Sequence, residues 1–374
     1  MHTDKMRLCI IIAGIILSMA VPVPADENGA MTATRFDGMN LDNASPDPET
    51  TRAGEALALG IAPDVIGTAA PAAVMKTIDG QQIDLSAIYG RKPVYLKFWA
   101  TWCIPCRQQM PAFEEIYRTL GDRIQIAAID IGYSDDEASV RAFREKLGLT
   151  LPIVMDDGSL AKGFHLTVTP QHVLIGKDGR FKYIGHADNE ALAEALKQVL
   201  QEEADPAELA PERLEHEKVI QVGEKVPDLS VATLQNGSLP LKAEPGHLLA
   251  VQFFSTWCEW YLESSRPDTS QACTRVREAI ETMKSTVPEV DWIGIAGGPW
   301  TTKEDLAEYG KNYQVTIPLA LDEGGELNRR FGIQEIPTVA LIDDTQRLIG
   351  LIAPAEKDLQ GAIQKALGKA ADNH

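Results

Sequence analysis

Cys103 and Cys106 stand with two residues between them in the run Trp99-Ala100-Thr101-Trp102-Cys103-Ile104-Pro105-Cys106. Sulfurs at that spacing can make and break a bond with each other, and the chemistry they offer is thiol–disulfide exchange. Met110, Phe113, Tyr117 and Leu120 then recur at helical spacing and Gly121 supplies a stop. A helix is therefore expected to start at the cysteines and to pass through Pro111 with a kink. Cys103 would occupy its N-terminus, where unpaired backbone N–H groups and the positive end of the helix dipole favour an anion. The thiolate is the reactive form, so Cys103 is the expected nucleophile. Cys106, one turn further in and more shielded, is the expected resolving thiol, with Pro105 restricting the loop between them. Two other readings stay open. A zinc site would need two further ligands at matching spacing, and there is no second Cys-x-x-Cys. An inert disulfide suits an exposed, tryptophan-flanked helix start less well than exchange does. No metal and no cofactor is expected.

The elements that must hold this motif occur twice along the chain. Val94-Tyr95-Leu96-Lys97-Phe98-Trp99 reads as a buried strand leading into Ala100-Thr101-Trp102-Cys103, and Leu249 to Phe254 leads likewise into Ser255-Thr256-Trp257-Cys258. Ile124–Ile131 and Trp292–Ala296 read as the next strand of each half. Leu151-Pro152-Ile153 matches Ile317-Pro318-Leu319, and Pro170 to Ile175 matches Pro337 to Ile342. Closing helices are expected near Glu190–Leu200 and Lys357–Leu367. Strands alternating with helices predict an α/β fold with a central sheet covered by helices, built twice.

With this order of elements and this cysteine motif, both halves resemble thioredoxin-fold domains, and the first resembles the exported TlpA-type disulfide reductases. The resemblance spans residues 61–201 and 219–370 and implies two tandem thioredoxin-like folds, each with a central mixed sheet flanked by helices. It implies a cis proline at Pro170 beside the cysteine pair, with Thr169 before it offering backbone hydrogen bonds to a bound polypeptide and Trp102 beside the nucleophile. The plainer reading of Pro170, a proline opening an edge strand, stays open. Many relatives carry a glutamate three residues after the second cysteine, where this chain has Gln109, which cannot take up a proton. Lys97 stands where many thioredoxins have a buried acid. It either approaches Cys106 and favours its thiolate or snorkels to the surface.

The second half has kept one cysteine of the motif: Tyr261 stands where the resolving cysteine would be, and the other cysteine, Cys273, lies fifteen residues beyond Cys258. The Cys258–Pro337 spacing of 79 residues against 67 for Cys103–Pro170 marks an insertion there. A structural Cys258–Cys273 disulfide, a remote redox pair relaying electrons to Cys103–Cys106, and two free thiols are the three readings. Peroxidase chemistry on Cys258 lacks the Thr-x-x-Cys setting it would need.

Lys5 and Arg7 precede an apolar run, Leu8–Val21, that ends near Val23-Pro24-Ala25, so residues 1–25 read as a secretory signal peptide. At 14 residues the apolar run is short of the ~20 a membrane span needs. Residues 26–60 read as a disordered tether and 202–218 as a linker. The net charge of −19 argues against nucleic acid as a partner. The expectation is a periplasmic thiol–disulfide oxidoreductase acting on protein thiols and disulfides with an unidentified electron donor or acceptor protein. Contact with the membrane is expected only if the N-terminal segment stays uncleaved. The alternative is a client-binding or assembly module that uses the fold without turnover.

Overall fold

A computed structural model describes residues 48–203, 211–234 and 237–371. The signal-peptide reading of residues 1–25 and the tether reading of 26–47 lie outside them. The rest of the tether reading is corrected. Residues 48–60 form a helix, α1 (Pro48–Gly60), followed by the single turn α2 (Ala62–Val65). Glu55 holds α1 down by accepting hydrogen bonds from the backbone N–H groups of His186 and Ala187, at 2.6 and 2.8 Å. Isolated short helices are marginal in water, and this tertiary attachment is what composition did not reveal.

The first half continues with the hairpin β1 (Val74–Lys76) and β2 (Gln82–Asp84), then α3 (Leu85–Ile88) and β3 (Val94–Trp99). Next come α4 (Ile104–Leu120), β4 (Gln125–Asp130), α5 (Glu137–Leu147), β5 (Ile153–Met155) and α6 (Ser159–Gly163). It closes with β6 (Gln171–Ile175), β7 (Phe181–Gly185) and α7 (Glu190–Gln201). Its sheet runs β5-β4-β3-β6-β7, parallel across β5-β4-β3 and antiparallel across β3-β6-β7. Every residue of the central strand β3 is buried, which is why it reads as a continuous apolar run rather than an alternating one. α4 runs through Pro111 unbroken.

The second half has the hairpin β8 (Ser230–Ala232) and β9 (Ser238–Pro240), then β10 (Leu248–Phe254), α8 (Cys258–Tyr261), α9 (Pro267–Thr286) and β11 (Val290–Ala296). α10 (Lys303–Asn312), β12 (Leu319–Leu321), α11 (Glu326–Arg330), β13 (Thr338–Ile342), β14 (Leu348–Ile352) and α12 (Leu359–Ala371) complete it. The strand order, β12-β11-β10-β13-β14, and its senses repeat those of the first sheet. The chain is thus two thioredoxin-like folds in tandem. Thr169–Pro170 and Ile336–Pro337, the matching positions before β6 and β13, are both cis.

The insertion lies where the helix after Trp257 breaks: α8 ends at Tyr261, and α9 restarts at Pro267. Cys258 in α8 and Cys273 in α9 are joined as a disulfide with Cα atoms 6.3 Å apart. In the chain-entropy picture, closing a loop of this length stabilises by about 3 kcal/mol. We expect Cys258→Ala/Cys273→Ala to lower unfolding stability by about that amount in guanidinium titration; unchanged stability would mean the bond does not pin the two helices.

Candidate active site

β3 delivers the site. The chain leaves its end at Trp99, turns through Ala100–Trp102 and enters α4 with Cys103 as the N-cap, its Sγ accepting the Cys106 N–H at 3.3 Å. Cys103 and Cys106 are bonded, S–S 2.05 Å and Cα–Cα 5.2 Å, with Pro105 in the first turn. The register Phe98↔Gln171 brings the cis Thr169–Pro170 bond to the same end of the sheet. The Trp102 indole N–H donates to the Tyr133 carbonyl at 2.7 Å, and the Thr101 N–H to Asp135 at 2.7 Å, fixing the turn to the loop after β4. Gly132 opens that loop at φ +64°, and a Cβ there would stand 2.3 Å from the Asp156 carbonyl, so only glycine fits.

Beneath the turn lies a buried polar chain. His172 accepts from the Tyr95 hydroxyl at Nδ1 (2.7 Å) and donates from Nε2 to Gln109 at 3.0 Å, the assignment that satisfies both partners. Gln109 donates on to the His186 carbonyl at 3.3 Å, and His186 Nδ1 donates to the Pro170 carbonyl at 2.8 Å. Gln109 thus ties α4 to the proline loop. Burial pushes His172 well below the usual histidine range, with the nearby Lys97 adding to the effect, so the ring is neutral. Lys97 does not snorkel. It is fully buried, its Nζ has no hydrogen-bond partner among the described residues, and it lies 5.4 Å from the centre of the Phe113 ring.

One expectation is overturned. The cysteine pair is not exposed: Cys103 is 1% and Trp102 2% accessible. The second half makes the seal. Trp257 lies against Trp102 with ring centres 4.9 Å apart at 30°, and Tyr261 meets Trp102 edge-on at 6.2 Å. Trp257, Cys258, Leu262 and Ile336 belong to the same buried cluster as Cys103 and Cys106. The Tyr261 hydroxyl, at the lost resolving position, accepts the Ile104 N–H at 3.1 Å. Arg266 donates to Thr101 Oγ1 at 2.6 Å and pairs with Asp135 at 2.7 Å. Burial pushes the Asp135 carboxyl above its ordinary range, although Thr101 and Arg266 pull it down. The Trp300 indole N–H donates to the Thr169 carbonyl at 3.0 Å.

Trp102, Cys103, Cys106, Thr169 and Pro170 therefore meet at one sheet end, whereas Cys258 and Cys273 sit across the seal in the other half. Sequence reasoning missed Asp135, Arg266 and Trp300. Trp300 was within reach of the repeat, since Tyr133–Asp136 and Gly297–Trp300 both follow the second strand of their sheets. Arg266 lies in the insertion and has no counterpart to compare. Among the described residues, no group of His, Cys, Asp or Glu is arranged to hold a metal ion.

Burial lowers the Lys97 amine from 10.5 to about 7, with Asp188 partly opposing it. Between those values the unfolded chain binds a proton that the folded one resists, so stability rises with pH across the window and the full penalty applies below about pH 7. Lys97→Met is expected to raise stability at pH 7 by a few kcal/mol, at most about 5, and to flatten its rise between about pH 7 and 9.5 in denaturant titrations. An unchanged slope would show that the amine keeps its ordinary affinity for protons.

Comparison with known proteins places this geometry in a family. Residues 66–184 match the family model described as the AhpC/TSA family. The chain is 34% identical over 138 residues to the thiol-disulfide oxidoreductase ResA of Bacillus thuringiensis, covering 36% of this chain and 78% of ResA. It is 36% identical over 121 residues to ResA of Geobacillus kaustophilus, covering 32% and 68%. It is 34% identical over 114 residues to the thioredoxin-like protein YneN of Bacillus subtilis, covering 30% of this chain and 66% of YneN. Among solved structures, StoA of Bacillus subtilis aligns at 29% identity with a TM-score of 0.30, over 33% of this chain and 94% of StoA. The chain belongs to the thioredoxin-like thiol–disulfide oxidoreductases that include the ResA proteins.

Proposed function

We propose that this protein is an exported reductase of protein disulfides, working in the periplasm through Cys103 and Cys106. The observation that carries the reading is the sulfur of Cys103 capping α4 and accepting an N–H of its first turn, with Cys106 bonded to it from one turn behind. An anion at that cap is favoured by the helix dipole and the free N–H groups. Export is supported by the basic and apolar run of residues 5–21.

In the cycle, the Cys103 thiolate attacks one sulfur of a client disulfide. The client S–S bond breaks, one client sulfur leaves as a thiolate that takes up a proton, and a mixed disulfide remains. Cys106, deprotonated, then attacks the Cys103 sulfur and releases the second client thiolate, which is also protonated. Two electrons have passed to the client, and the pair is left as the disulfide seen here. A dithiol donor protein returns the electrons by the same two exchanges. Trp102, Thr169 and Pro170 form the client-binding edge: once Trp300 and Trp257 have left them, the Thr169 carbonyl offers an acceptor to the client backbone and Trp102 an apolar face.

Purified protein is expected to accelerate dithiothreitol-driven insulin reduction, with Cys103→Ser losing the activity by about 100-fold or more and Cys106→Ser accumulating a mixed disulfide. Wild type no faster than Cys103→Ser would overturn the assignment. The seal over Cys103 favours a second reading, an assembly module that uses the fold without turnover. Under it, Cys103→Ser/Cys106→Ser would keep full activity in cells.

A further inference from the structure

Catalysis by exchange requires a client or donor sulfur to come into line with the Cys103 sulfur, and a disulfide cysteine 1% accessible offers no such path. The obstruction does not come from the first fold. Its own turn, helix and proline loop surround the pair from one side, and every group named above as closing the other side belongs to residues 257–336.

We infer that the second thioredoxin-like domain is a built-in cover that occupies the first domain's polypeptide-docking edge, and that a client must displace it before Cys103 can react. This rests on the reading of Cys103 as the nucleophile and of Trp102, Thr169 and Pro170 as the docking edge. Much of what the second domain satisfies is backbone, as an extended polypeptide would satisfy it. Trp300 donates its indole N–H to the Thr169 carbonyl at 3.0 Å and its own backbone N–H to the Thr167 carbonyl at 3.2 Å. The Gln334 carbonyl accepts the Ser134 N–H at 2.6 Å, and the Tyr261 hydroxyl takes the Ile104 N–H next to the nucleophile. Trp257 fills the apolar face of Trp102.

The cover is matched to its site because it is a copy of it. Trp257 follows β10 as Trp102 follows β3, and its indole N–H holds the Pro299 carbonyl at 2.9 Å as that of Trp102 holds Tyr133. The copy is silent in exchange: Tyr261 replaces the resolving thiol, and Cys258 is tied to Cys273. The contacts are exchangeable. The polar ones are individual hydrogen bonds and the ion pair Arg266–Asp135, whose arginine is one-third exposed while its carboxylate is buried, so water or client groups can replace the arginine and the hydrogen-bond donors one by one. α1 backs the latch, since a Cβ at Gly54 would stand 2.6 Å from the Trp300 ring and 2.7 Å from His186. The chain last bonds the first domain's hairpin at Leu214, to Ala72, and is held by the second domain from Ile220, bonded to Arg330, and between them Glu217 pairs with Lys162 of the first domain and Arg329 of the second, a pairing that opening must break on one side. The segment between them is where the cover would swing.

The test uses the full chain, reduced, and follows iodoacetamide alkylation of Cys103 by mass spectrometry in wild type, Arg266→Ala and Trp300→Ala. Reactivity scales with the open fraction, so both variants are expected to be alkylated about tenfold faster or more, with a lower KM for insulin. Equal alkylation in all three overturns the cover and leaves the redox reading standing. Fast alkylation in the variants with no insulin reduction by any of them sinks the redox reading instead. Should the variants not fold, wild type against its own urea-unfolded chain, at a pH where both thiols are ionised, decides. A covered thiolate reacts about tenfold slower or more when folded, and one that reacts as fast or faster folded contradicts the proposal.

Discussion

The site depends on one constraint: the sulfur of Cys103 must end β3 and begin α4 at the same point. A buried strand whose six residues are all inside the sheet cannot shift register without moving apolar side chains into water, so its end is fixed to within a residue. α4, packed on that sheet through Phe113 and Met110, fixes the helix start equally firmly. The cysteine between them has no freedom to leave the cap. Everything else arranges itself around that point: the Asp135 anchor of the turn, the cis proline loop delivered by β6, and the Gln109–His186 link that holds loop and helix together.

Duplication explains the rest of the architecture. Two sheets with the same strand order present the same edge, and such edges are complementary in the way isologous surfaces are, tryptophan against tryptophan. Once fused in one chain, the second copy has no need of its own exchange chemistry. Its helix is broken by the insertion at Leu262–Arg266 and stapled by Cys258–Cys273. Arg266 from that break reaches back to Thr101 and Asp135 beside the nucleophile.

What was legible in the sequence was local or repeated. β3 and β10 showed themselves as continuous apolar runs, α4 by Met110, Phe113, Tyr117 and Leu120, and the proline loops by their matching order. What was not legible depended on contacts between segments far apart. α1 has weak periodicity and is held by Glu55 on the backbone of His186 and Ala187, a bond no spacing rule announces. The fate of Lys97 was undecidable from its neighbours, because a four-carbon stem can snorkel or stay, and Phe113 above it settles the matter only in three dimensions. The seal over Cys103 was invisible for the same reason: a motif states which groups react, not what stands in front of them.

The most direct test of the account is the reduction potential of the Cys103–Cys106 couple, measured against glutathione or thioredoxin standards. A reductase drawing electrons from a dithiol donor is expected near thioredoxin's value of about −270 mV. A value near about −120 mV, that of a strong oxidant, would contradict the direction of electron flow on which the proposed function stands.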